Sequence, residues 1–420
     1  MTIDAAPLPA ATGGADPGAL RAAALDAADP LAPHRGRFLA EPDVVAYLDG
    51  NSLGRPLAAS ADRLARFAPE VWSRRLIRAW DEGWLDAPVE LGDEIARVVL
   101  GADPGTTVVG DSTTVLLYKL ARAALAARPE RREIVLDAEN FPTDRFVLDG
   151  VAAETGRTLR WLEVDPEDGP SAASVAAVVG PDTALVVLSH VAYRSAHLAD
   201  MAAISRAVHE AGALVLWDLS HSVGVVPMRL QADGADLAVG CTYKYLNGGP
   251  GSPAFAFVAP ALQPGLQQPI HGWLGAADPF TMGERYEPAP GVRGLLSGTP
   301  PIVSMLAMRD MLALVDEVGM AAVRAKSVAL TAEAVAFAEA ELAPFGVRIA
   351  TPRDPARRGS HVMLDHPDFR EVVAELWREG VIPDFRSPTG LRVGLSPLST
   401  GFAELHTGLT AIRAALLRRR

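Results

Sequence analysis

A single cysteine, Cys241, is all that 420 residues contain, which excludes a disulfide framework and a cysteine-rich zinc site. It fits a reducing compartment. Basic residues are in deficit: 39 Lys and Arg stand against 51 Asp and Glu, a formal charge of −12. No basic stripe is left to neutralise nucleic-acid phosphates or to dock on an anionic membrane. The only basic run, Arg418 to Arg420, closes the last expected helix, where cations suit the helix dipole. Long apolar runs are missing too, none approaching the roughly 18 residues needed to cross a bilayer. The first thirty residues are rich in Ala, Pro, Gly and Asp. They lack the basic start and apolar stretch of a signal peptide and read as a loose leader. These absences leave a soluble cytoplasmic protein with neither nucleic acid nor membrane as partner, and with no metal site.

What is present is ordinary globular material, 49% hydrophobic and 21% charged, long enough for two or three domains. Short apolar runs at 134–136, 159–164, 184–188 and 213–217 read as strands, several of them apolar on both faces. Helical patterns at 171–179 and 200–211 lie between them, the latter stopped by Gly212. Strand–helix alternation with both-face-apolar strands predicts an α/β fold, a mostly parallel doubly wound sheet, over about 75–300. A long Ala/Leu/Met/Val-rich helix leaves it at Pro301. A smaller α+β unit follows from about residue 328, with strands at 347–350, 360–364 and 391–394, so that 301–420 forms the connecting helix and second domain. Residues 1–74 have no place in the sheet and are expected to join the smaller domain or cover the site.

The chemistry concentrates between Trp217 and Gly251, in WDLSHSVGVVPMRLQADGADLAVGCTYKYLNGGPG. Ligands of open α/β sheets bind beyond the carboxyl ends of strands, and Asp218 stands at such an end. A carboxylate there can pair with a protonated pyridine nitrogen and keep the ring an electron sink. Lys244 follows among small and apolar residues, a setting that suits Schiff-base chemistry. Alone it would read as a surface lysine at a strand end. The preceding Asp, with Thr242, Tyr243, Tyr245 and the Gly248–Gly249 pair around it, favours a pyridoxal 5′-phosphate (PLP) site. Arg392, between apolar neighbours in an expected strand, needs an anion, either a ligand or a structural carboxylate.

The strings DGNSLG (49–54), FPTD (141–144), DLSHS, GCTYKYLNGGPG, GWLG (272–275), SGTPP (297–301) and LRVGLSPL resemble kynureninase, in the family's order, from about residue 47 to 398. The resemblance implies PLP fold type I within the class-V aminotransferase superfamily. It implies that Lys244 carries PLP, that Asp218 meets the ring nitrogen with His221 beside it, and that Phe141 stacks on the ring. Asp144 bonds the cofactor and Ser189 lies near it. Thr113, Thr114 and Tyr243 bind its phosphate, with Trp273 and Thr299 reaching it from a partner subunit in a homodimer with shared sites. Arg392, with Ser52 and Thr299, receives the amino-acid substrate, and Tyr243 relays a proton.

The implied reaction is hydrolysis of the Cβ–Cγ bond of L-kynurenine to anthranilate and L-alanine, with 3-hydroxy-L-kynurenine a poorer substrate. Its setting would be tryptophan catabolism or a biosynthetic branch such as NAD formation. Each residue also has a plainer reading: Phe141 as core, His221 as a satisfied buried histidine, Trp273 as a loop anchor, Thr113–Thr114 as a helix cap. The chain departs from the family pattern at Ala192, Ala196 and Ala276, where Asn, Gly and His are usual. Two other readings stand beside this one: a related fold-type I lyase, desulfurase or transaminase, and a non-catalytic relic. A desulfurase is disfavoured because Cys241 lies three residues before Lys244 rather than on a late mobile loop.

Overall fold

The computed structural model describes residues 16–281 and 283–420. The larger sheet has seven strands: β1 (Thr107–Gly110), β2 (Glu133–Asp137), β3 (Thr158–Leu162), β4 (Thr183–Ser189), β5 (Leu214–Asp218), β6 (Leu237–Gly240) and β7 (Ala254–Val258). Their spatial order is β1-β7-β6-β5-β4-β2-β3. From β3 to β6 every pairing is parallel, and only β7 runs against its two neighbours. Burial follows position: β5 is buried at every residue, whereas the edge strand β3 is mostly exposed. Strands covered on both faces must be apolar on both, and this is why 184–188 and 213–217 are legible as strands. β1, β6 and β7, of four or five residues each, were not anticipated.

The helix Met201–Glu210 starts where expected, because the Asp200 carboxylate accepts from the Ala203 N–H at 3.0 Å. Its end is set by Gly212 in the left-handed region, φ +74°. The stretch expected to be helical over 171–179 is helical only over Ala172–Ala176, held by a Ser171–Ser174 capping box.

The smaller sheet is antiparallel, with β8 (Arg348–Ile349), β9 (His361–Asp365), β10 (Asp384–Arg386) and β11 (Gly390–Gly394) in the order β10-β11-β9-β8. β10 was not foreseen. It carries no apolar run, and its three half-buried residues are held by pairing to β11. The helix Ile302–Val318 leaves the large unit as expected but stays packed on it, burying Met305, Met308, Met311, Leu312 and Val315 in the core cluster of the large sheet.

The expected loose leader differs from what is seen. Residues 1–15 lie outside the described residues, but Pro17–Ala28 is a helix capped by Asp16. It buries Ala22 in the small-domain cluster. No amphipathic pattern marks it in the sequence, because half of the helix is alanine. Farther on, Ala46 and Leu48 also enter that cluster, while Leu31, Phe38 and Leu57 enter the large one. The N-terminal segment therefore spans the junction of the two units, and its 47–54 stretch passes over the carboxyl ends of the large sheet's strands.

Candidate active site

Three parallel strands end side by side and deliver the chemistry. β4 ends on Ser189, β5 on Asp218, paired in register with it, and Lys244 lies four residues beyond Gly240, the end of β6. Lys244 Nζ is 3.0 Å from His221 Nε2. It also stands 5.9 Å from the Phe141 ring centroid and 6.0 Å from that of Tyr243. Asp218 is 6% exposed, and its Oδ1 accepts from the Ser220 N–H at 2.8 Å. Asp144, in the first turn of the helix that Phe141 caps, is 1% exposed. Burial first, and the nearby Asp218 second, raise the Asp144 carboxyl well above its ordinary range.

Burial, then the Lys244 charge, holds His221 far below the usual imidazole range, so the ring is neutral, and its Nε2 shares a hydrogen bond with Lys244 Nζ. Tyr243 is raised above the ordinary phenol range, first by the neighbouring Cys241 thiol and then by burial. It keeps its proton and can donate.

Polar atoms are left over. Asn140 Oδ1 accepts from Ser189 Oγ at 2.8 Å and from the Phe141 N–H at 2.7 Å. Its buried Nδ2 has no partner, and the same holds for Asp144 Oδ2 and His221 Nδ1. Buried polar atoms without partners are costly. Here they surround one lysine and one aromatic face, the donor and acceptor set that a flat, polar, pyridine-type cofactor would satisfy.

Opposite the strand ends, β11 carries Arg392, 1% exposed. Its Nη1 donates to the Tyr193 carbonyl at 2.7 Å and its Nη2 to Ser52 Oγ at 2.9 Å. Nη2 also pairs with Asp384, while buried Nε has no partner. Asp49 lies in the same group and is raised to about 6, by burial first and by Asp384 second. Ser52 is brought here by the turn Asp49–Gly54, which sits tightly on the lysine loop. Gly54 N–H donates to the Tyr243 carbonyl at 2.9 Å, and a Cβ at Gly54 would lie 2.4 Å from the Lys244 carbonyl oxygen. Only glycine allows that approach.

The expected residues are not all gathered together. Lys244, Asp218, His221, Asp144, Phe141, Ser189 and Tyr243 form one group, and Arg392 with Ser52 a second, linked to the first by His361, whose ring centroid is 5.5 Å from that of His221. Thr113 and Thr114 open the helix Thr113–Ala126, but its cap is Ser112, and Thr114 is exposed. Thr299, also exposed, shares a recess of about 450 Å³ with Asp111, Ser112, Tyr243 and Ser252. Trp273 packs edge-on against Trp80 at 6.3 Å and near Phe280 at 6.2 Å.

Comparison with known proteins decides the family. The description of the kynureninase C-terminal domain matches residues 323–412, and that of class-V aminotransferases matches 90–367. A kynureninase from Pseudomonas fluorescens is 45% identical over 390 residues, 91% of each chain. One from Burkholderia pseudomallei strain 1106a is 42% identical over 402 residues, 94% of each chain.

The chain belongs to the kynureninase family.

It is a PLP-dependent enzyme of fold type I. The cysteine desulfurase of Thermococcus onnurineus NA1 has the same fold, with a TM-score of 0.79 at 15% identity over 92% of this chain and 98% of that one. At that identity only the fold is shared. Within the kynureninase family the departure at Ala196 has a visible cost: its φ is +63°, the left-handed region where glycine is at ease and a Cβ is strained. Three residues of the site had no sequence signal. Asn140 precedes the FPTD string and looks like a turn residue, His361 opens a strand, and Asp384 follows a proline. Among the described residues no cluster could hold a metal ion, and no helix is long and apolar enough to cross a membrane.

Proposed function

We propose that this enzyme hydrolyses the Cβ–Cγ bond of L-kynurenine to anthranilate and L-alanine, as a cytoplasmic homodimer serving tryptophan catabolism or a biosynthetic branch such as NAD formation. The observation that carries the reading is a half-buried lysine beside two buried carboxylates, facing a buried arginine across the strand ends. PLP, when bound, supplies an electron sink for the charge that develops at the substrate Cα. Lys244 and Asp218 would hold it at its two ends, with Phe141 against the ring face, Asp144, Ser189 and His221 around it, and Thr113, Thr114, Tyr243, Trp273 and Thr299 toward its phosphate.

The chain's own groups then divide the work. Arg392 and Ser52 bind the substrate carboxylate, a planar anion suited to a guanidinium fork. Lys244 Nζ takes the proton from Cα, and the neutral His221 ring orients it through Nε2. The Tyr243 hydroxyl, kept protonated, gives a proton to the departing Cβ. Burial and the neighbouring Asp218 favour the neutral form of the Asp144 carboxyl. The exposed side chains of Trp72, Leu76, Ile77 and Val303 support the dimer, since they form an apolar face beside Thr299 of the kind a second copy would cover.

A desulfurase reading finds no support: Cys241 is 1% exposed, and burial raises its thiol, whereas a nucleophile needs an accessible thiolate. The test is to incubate the purified enzyme with L-kynurenine and with 3-hydroxy-L-kynurenine and follow the aromatic acid and alanine. Stoichiometric anthranilate and alanine, with L-kynurenine preferred about tenfold on the scale of one uncompensated hydroxyl, is the expected result. Kynurenine left intact, or converted only to a keto acid, would sink the reading.

A further inference from the structure

Lys119 is fully buried, yet it belongs to neither charged group described above. It lies on the inner face of the helix Thr113–Ala126, and all three of its protons are used. Nζ donates to Asp111 Oδ2 at 2.6 Å, to Ser297 Oγ at 2.7 Å and to the Leu295 carbonyl at 2.8 Å. Ser297 Oγ in turn donates to the Ile270 carbonyl at 2.5 Å. One ammonium thus ties together the loop before the helix, the SGTPP loop and the chain leading to Trp273. Asp111 and Ser297 both line the recess that also holds Ser112, Tyr243 and Thr299.

Asp111 is held in a strained conformation, with φ +48°, one residue before the cap of that helix. Its side chain is 32% exposed, at a helix N-terminus, where free N–H groups favour an anion. A bare carboxylate at that position would repel a dianion. A buried cation that served packing alone would be replaceable by an apolar side chain. This one makes each of its contacts to loops that border a single recess.

We propose that Lys119 is a positioning residue for the cofactor phosphate: it cancels the Asp111 charge beside the recess and fixes Asp111 and Ser297 so that the helix N-terminus stays open to a phosphate ester. The inference rests on the reading of this recess as the phosphate cradle. Both can be tested by binding, without turnover. The full-length chain freed of cofactor is titrated with PLP and with pyridoxal, which lacks the phosphate, and dissociation constants are compared.

Lys119→Met should weaken PLP at least tenfold and leave pyridoxal within about twofold. Adding Asp111→Asn should restore most of the lost PLP affinity, because the uncompensated carboxylate is gone; a merely structural lysine would give a double variant no better than the single. If Lys119→Met does not fold, Lys119→Gln retains a hydrogen-bond donor while removing the charge, and the same rescue applies. Equal losses for PLP and pyridoxal, or no rescue, would overturn the role of Lys119. Failure of the cradle reading looks different: the unmodified chain would then bind pyridoxal as tightly as PLP, and the inference about Lys119 would fall with it. Loss of PLP selectivity in Tyr243→Phe, with none in Lys119→Met, would keep the cradle and discard the lysine.

Discussion

The two charged groups that face each other at the site are built on opposite plans. At the large sheet's strand ends, two carboxylates, Asp218 and Asp144, surround one lysine, and Asp144 Oδ2, Asn140 Nδ2 and His221 Nδ1 are buried without partners. At the small sheet, Arg392 already meets Asp384 and Ser52, with Arg386 donating to Asp384 at 2.7 Å. In the proposed assignment the cofactor completes the first group. The second carries its own counter-ion, so that a substrate carboxylate bound there, as proposed, would have to share or displace Asp384. The difference fits the lifetimes of the two ligands: a resident cofactor can be a permanent part of the electrostatic balance, whereas a substrate that must leave cannot.

The strongest way to break this comparison is at the first group. Asp218→Asn should leave the fold intact and lower kcat at least about 10²-fold, the scale of one well-placed electrostatic group. Turnover close to that of the unmodified enzyme would remove Asp218 from the chemistry. At the second group, Arg392→Lys should raise KM roughly tenfold with a smaller change in kcat, because a point charge cannot reproduce a bidentate fork. Asp384→Asn should lower KM if Asp384 competes for the arginine. Unchanged kinetics in both variants would make Arg392–Asp384 a structural pair.

A smaller effect separates the groups by pH. Asp49 sits beside Arg392 with its carboxyl raised to about 6 by burial and by Asp384, so the folded state holds this proton more tightly than the unfolded chain does. Its stabilising contribution is complete below about pH 4 and is lost as pH rises through about 6. Asp49→Asn, which cannot ionise, should therefore match the unmodified protein in urea melts near pH 4 and exceed it above pH 7. The gain is at most about 3 kcal/mol for a shift of that size. No pH-dependent difference would show that Arg392 compensates Asp49 in full. The smallest effect lies away from both groups. Ala196→Gly should relieve the left-handed strain, and net of the extra chain entropy of glycine should add about 1 kcal/mol or less to the unfolding free energy.

Sequence and structure agree most closely where one segment carries its own signal. Runs such as 184–188 are apolar on both faces because they lie inside the sheet. Asp200 and Gly212 bound their helix through contacts made within a few residues. Lys244 and Asp218 are legible for a similar reason, since a strand end followed by a polar residue is a local pattern. β1, β6, β7 and β10 were not legible; they are held by pairing with strands distant in sequence or antiparallel to them.

The sequence alone determined the parallel core and, through strings read in order, the family, and it singled out Lys244 and Asp218 as candidates. What only the tertiary structure decided is which charges meet: Arg392 with Asp384 and Ser52, His221 with His361, Lys119 with Asp111 and Ser297. Periodicity records whether a side chain is buried. It does not record what lies across from it, because that partner comes from a loop or strand placed there by the packing of the whole chain, and the cost of an unpaired buried charge is set only when that packing is complete.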